Sequence, residues 1–234
     1  MANVDHFCID RYEASLSTRG ASNAAVPHAY YQRPVEGTSY QALSEKGRFP
    51  QAYISRTESQ AACAQVDKRL CSMREWQTAC EGSQRTNYPY GSHWEPKRCN
   101  MDKQHLLSLR FGWDPHRWHY ADFNDPSLDQ EPGFLAKSGE LAECASDSGV
   151  YDLVGNLHEW VSDHVDAALV ARLESEGISR AYQPWSSGNG VFMGGFFSTH
   201  EEHGPGCKFT TIAHDPGYHD YSVGFRCCKD EAAQ

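Results

Sequence analysis

The sequence predicts an α+β fold: a few short helices packed on small antiparallel sheets, with most of the chain in irregular loops. Helix signals are early and brief, strand-like alternation comes only in short runs, and 19 glycines and 11 prolines punctuate the 234 residues. That length suffices for one sizeable core, and no repeat or long linker divides it, so residues 1–234 are expected to form a single domain.

The elements follow in order. His6 to Glu13 alternates like a strand. Residues 19–50 are rich in Pro, Gly and Ser and are expected to wander. Thr57-Glu58-Ser59-Gln60 reads as a capping box, with Thr57 as N-cap of a helix to about Val66. Ser72-Met73-Arg74-Glu75 is a second box, opening a helix that Gly82 stops. Turn residues dominate 83–148, with a short helix expected near 103–110. Gly155-Asn156 marks a turn, 166–176 a helix, and 191–194 and 222–227 two strands.

Composition excludes several classes. No run nears the ~20 apolar residues of a membrane helix. A net charge of -10 without a basic cluster is unsuited to nucleic acid. Nine cysteines at 8, 63, 71, 80, 99, 144, 207, 227 and 228 lack the paired C-x-x-C spacing of a zinc site. They read as disulfides with at least one thiol left over, hence a secreted, periplasmic or otherwise oxidising location. Met1-Ala2-Asn3-Val4-Asp5 has neither a basic start nor an apolar stretch, so that location implies a leader already removed.

Several segments resemble one family in order. Arg69-Leu70-Cys71-Ser72-Met73-Arg74-Glu75-Trp76 resembles an "RLPTEAEWE" element, and Tyr88-Pro89-Tyr90-Gly91 with Cys99-Asn100 resembles "PWG…AN". Gly149-Val150-Tyr151-Asp152-Leu153-Val154-Gly155-Asn156-Leu157-His158-Glu159-Trp160-Val161 looks like "GLYDMAGNVWEWV". Gly194-Gly195 and Gly224-Phe225-Arg226-Cys227 look like "RGGSW" and "GFRC". The family is the formylglycine-generating enzyme, or sulfatase-modifying factor, superfamily, matched most strongly over 57–229. The resemblance implies an irregular C-type-lectin-like domain. It also implies disulfides Cys63–Cys227 and Cys80–Cys207. Cys99 is then left to pair with Cys144, and Cys228 with Cys8 or Cys71.

Authentic family members oxidise a sulfatase cysteine with copper held by two thiolates, and soft sulfur suits Cu(I). Those cysteines map onto Thr199 and Gly204, so the pair is missing. The same region holds His200, Glu201, Glu202 and His203, with His214, His219 and Asp220 further on. Histidine with carboxylate suits Fe2+ or Cu2+, so His200, His203, Glu201, Glu202 and His214 form a candidate metal set, against the alternative of an ordinary polar loop. The aromatic stretch Trp113 to Tyr120, with His116 and His119, either roofs a pocket or covers a core edge. His158 is expected on the surface.

The resemblance also implies Ca2+ at Val154, Gly155, Leu157 and Glu159, where carbonyls and a carboxylate suit a hard cation, and a second site beginning at Asn100 and Met101. For Glu159 the alternative is a buried pair with Arg226. Three functions follow: a metal-dependent oxidase or oxygenase repurposed around the histidines; a non-catalytic lectin-like module for a glycan, peptide, protein or small molecule; or a true formylglycine-generating oxidase using Cys207.

Overall fold

The computed structural model describes residues 1–20, 24–178, 184–200 and 206–231. The chain opens with β1 (Ala2–Val4) and β2 (Phe7–Ile9), then β3 (Ser15–Arg19), β4 (Ala25–Pro27) and β5 (Gln41–Leu43). Helix α1 (Arg56–Ala64), strand β6 (Arg69–Leu70) and helix α2 (Met73–Glu81) follow. The middle holds short helices α3 (Leu106–Phe111) and α4 (Tyr120–Phe123). The last third contains β7 (His158–His164), α5 (Ala167–Ser175), β8 (Gly190–Met193), β9 (Thr210–Thr211), β10 (Val223–Phe225) and β11 (Cys227–Asp230).

Three small sheets result, in the orders β1-β2-β11-β6, β10-β7-β8-β9 and β4-β3-β5. All pairs are antiparallel except β10 with β7, where Val223 faces His158. The terminal strand β11 sits between β2 and β6, so the chain's two ends close one sheet. Residues 19–50 do not simply wander: Thr18 pairs with Val26 and Leu16 with Ala42.

Both early helices are capped as the pattern demands, one of them at a different residue. In α2, Ser72 accepts the Glu75 N–H and the Glu75 carboxylate accepts the Ser72 N–H. In α1 the N-cap is Ser55 rather than Thr57, and Glu58 returns the bond to the Ser55 N–H at 2.8 Å. Two boxes overlap in Ser55-Arg56-Thr57-Glu58-Ser59-Gln60; the carboxylate is the stronger acceptor and wins. Asp166 caps α5 by accepting the Leu169 N–H.

Disulfides join Cys63 to Cys227, Cys71 to Cys228, Cys80 to Cys207 and Cys99 to Cys144, leaving Cys8 free. The first three tie α1, the link between β6 and α2, and α2 itself to the last thirty residues. Each such bridge contributes about 2–4 kcal/mol by restricting the unfolded chain. Between them lie Trp76 and Trp160, both fully buried. Their indole N–H groups donate to Glu159 and to the Ile54 carbonyl. Among the described residues no helix is long and apolar enough to cross a membrane.

Candidate functional site around the Gly194-Gly195 turn

Strand β8 runs into Gly194-Gly195, and backbone hydrogen bonds hold this turn and the residues after it against two other segments. The Gly155 N–H donates to the Gly194 carbonyl (3.1 Å) and the Asn156 N–H to the Asn100 carbonyl (2.7 Å). Asp102 and Lys103 donate to the carbonyls of Thr199 and Phe197. The approach leaves no room for side chains. A Cβ on Gly194 would lie 2.5 Å from the Leu153 carbonyl, and one on Gly155 2.3 Å from that of Asn100; both residues also have positive φ.

Thr199 is buried just past the turn, and its Oγ1 accepts the Phe196 N–H. Gly204 lies outside the described residues. Cys207 is bonded to Cys80, and the one free thiol, Cys8, stands on β2 in a different sheet.

Of the histidine and carboxylate set, Glu201, Glu202 and His203 also lie outside the described residues. His200 Nδ1 contacts Asp102 Oδ1 directly. His105 is close by: burial first, then the charge of His200, push its pKa down to about 4. His214 has different surroundings, stacked on Tyr218 (ring centroids 3.8 Å apart) and on Phe192 (5.5 Å). Among the described residues no three His, Cys, Asp or Glu side chains converge as a metal-holding group.

His214 belongs instead to a cleft of about 430 Å³ walled by His105, His158, Phe192, Phe196, Tyr218 and Tyr221, with Tyr120 and Asp220 also lining it. His158 is not a surface residue. It is only 7 % exposed, because the inner face of β7 brings it against the rings of Phe192, Phe196 and Phe209. Trp118 stacks on His105 and so helps to wall this region, whereas Trp113 is 72 % exposed. The Asp220 carboxylate accepts hydrogen bonds from the Ser222 N–H (2.8 Å), the Ser222 hydroxyl (2.7 Å) and the Tyr218 hydroxyl. Burial raises its pKa. Asp102, His105 and the Phe192-Phe196 aromatic wall carry no motif signal, so the sequence alone does not single them out.

A model of the sulfatase-modifying factor enzyme 1-like domain matches residues 2–231. The chain belongs to this family. A bovine (Bos taurus) protein named inactive C-alpha-formylglycine-generating enzyme 2 is 32% identical over 146 residues, covering 61% of this chain and 42% of its own length. The mouse (Mus musculus) formylglycine-generating enzyme is 26% identical over 220 residues, covering 88% and 53%. The chain thus spans about half the length of these relatives. Among solved structures, PvdO from Pseudomonas aeruginosa shares the fold at a TM-score of 0.50 and 14% identity, covering 96% of this chain and 80% of that one.

The family's two metals can be tested against these residues. A thiolate pair for copper does not fit: one position is Thr199, eight cysteines are bonded to each other, and the ninth is in another sheet. Calcium closed by Glu159 does not fit this arrangement either. Arg226 Nη2 and Nε each lie 2.6 Å from a Glu159 oxygen, Trp76 donates to the same carboxylate, and both partners of the ion pair are 1% exposed. The carboxylate is spent on a buried guanidinium. Around Asn100 a cation is already present. Lys103 Nζ lies 2.6 Å from the carbonyls of Gly133 and Phe134, and Asn100 Nδ2 donates to the same Phe134 carbonyl and to Asn156 Oδ1.

Proposed function

We propose that this family member is a ligand-binding module that works through the histidine and aromatic cleft and does not oxidise cysteine through thiolate-held copper. The observation that carries this reading is the fate of sulfur. No thiol remains beside the Gly194-Gly195 turn among the described residues, while a lined cleft opens next to it. The similarity to a relative named inactive agrees with it. Incubation with a Cys-x-Pro-x-Arg peptide, copper and oxygen is expected to leave the peptide cysteine intact by mass spectrometry. Aldehyde formation overturns the reading. The paired cysteines support an oxidising location, with secretion as the finer proposal.

A second reading has its own support in the His200–Asp102 contact and in His105 beside it. It makes the chain a metal-dependent oxidase or oxygenase, with His203, Glu201 or Glu202 completing an Fe2+ or Cu2+ site. Metal analysis before and after chelation decides it. The second reading requires a stoichiometric transition metal that His200→Ala and His203→Ala each lose, whereas the binding-module reading expects none.

A further inference from the structure

We propose that the cleft takes an alkylammonium group, a methylated or quaternary amine carried on a short apolar body. This rests on the reading of the cleft as the ligand site and names the class of ligand.

The argument starts from charge. Asp220 is 3 % exposed and sits at the cleft, yet its three hydrogen bonds all come from neutral donors, Ser222 and Tyr218. Asp129 is likewise 3 % exposed. Both of its carboxyl oxygens are buried and lack a hydrogen-bond partner among the described residues. The charge of Asp220 raises the pKa of Asp129, second only to burial. No Lys or Arg is among the described residues lining the cleft. Burial holds His105 at about 4 and also lowers His214, so neither carries the missing charge at neutral pH. Burial pushes both carboxyls towards the neutral form, and a cation seated in the cleft beside Asp220 favours its ionised form, so that binding is coupled to loss of its proton.

The walls decide which cation. Phe192, His214 and Tyr218 form a three-ring stack, with interplanar angles of 12° and 23°. Phe196 meets Tyr221 edge to face at 85°. Tyr120, 49% exposed, tilts over Tyr218 at 5.5 Å. Aromatic faces attract cations through their quadrupole, and aromatic rings make up most of this cleft's wall. A primary amine or guanidinium also needs hydrogen-bond acceptors to replace its water. Asp220 already uses both oxygens on Ser222 and Tyr218, so a weakly hydrated alkylammonium has less to lose on entry.

Isothermal titration with choline, ethanolamine and the neutral isostere 3,3-dimethyl-1-butanol tests the class. Choline is expected to bind, and the neutral isostere to bind about tenfold more weakly, the size of a desolvated cation–π and charge contribution. Asp220→Asn is expected to erase that preference. Tyr120→Ala, on the exposed rim, is expected to weaken choline binding without unfolding the protein. If the isostere binds as well as choline, the ligand class is wrong while the cleft remains a binding site. Ethanolamine binding as tightly as choline also overturns the class, because hydrogen bonding would then dominate. No choline binding at millimolar concentration overturns it outright. The peptide oxidation assay fails or holds independently of all three.

Discussion

At the scale of single residues, two internal cations, Arg226 and Lys103, already occupy the carboxylate and the carbonyl cluster considered above for calcium. Glu159 faces Arg226 in the core, and either one alone would be an uncompensated buried charge. Glu159→Gln is therefore expected to cost about 3–5 kcal/mol in urea unfolding. A chelator, in contrast, is expected to leave the wild-type melting temperature unchanged. A chelator effect as large as that of the substitution would mean that Glu159 serves a metal and not the guanidinium. Lys103 makes the same point at the other carbonyl cluster. Burial lowers its pKa, yet its ammonium is within hydrogen-bond reach of two carbonyls. Lys103→Met removes the lysine donor from the exposed Gly133 carbonyl and one of two donors from the Phe134 carbonyl, and is expected to destabilise by about 0.5–1.5 kcal/mol. If added calcium stabilises this variant but not the wild type, the lysine occupies a cation's place. Calcium stabilising both equally would count against it.

At the scale of elements, the helix starts show what could be read in advance. The α2 box at Ser72 and Glu75 was legible because only one Ser and one acid stand at the required spacing. For α1 two boxes overlap, and pattern alone does not rank a glutamine against a glutamate. The pair Ser55→Ala and Thr57→Ala separates them: the first is expected to cost about 1 kcal/mol and the second a few tenths. Equal losses would return the cap to Thr57, whose hydroxyl is exposed and meets the Pro216 carbonyl at 3.4 Å. Strands β4 and β5 were illegible because each is three residues long and depends on partners in β3. The inward turn of His158 was hidden for a related reason. A histidine in a motif position that tolerates variety carries no period of its own, and the rings that bury it come from β8, Phe196 and Phe209. The cleft likewise assembles from segments about a hundred residues apart.

At the scale of the whole molecule, buried acids outnumber their partners, and this sets the pH response. Glu13, Asp129 and Asp220 all have raised pKa values, with burial the largest cause, and Asp152 is pushed up to about 7. Glu13 hangs on Asn156 Nδ2, the Ser138 hydroxyl and the Leu157 N–H, and Asp152 on the Gly139 N–H; neither is in an ion pair, and the charge of Arg226, paired with Glu159, only partly offsets their burial. A carboxyl with a raised native pKa keeps its proton after the unfolded chain has lost one. The native state then binds more protons, and stability falls as pH rises from about 4 towards 7. Glu75, Asp125 and Asp147 act in the opposite sense. Their pKa values are lowered by hydrogen bonds and, for Glu75, by Arg69, so the stability they add is lost as pH drops below about 4. The two trends place the stability maximum in the mildly acidic range. Urea unfolding between pH ~5 and ~8 is expected to show a decline on the order of a few kcal/mol, which Asp152→Asn flattens. The amide keeps an oxygen to accept the Gly139 N–H but has no proton to lose, so a slope unchanged by this substitution would assign the decline to other groups. Stability that rises through the same window would mean that these acids ionise in the folded core without penalty, and that the charge shortage around Asp220 is filled from within the protein.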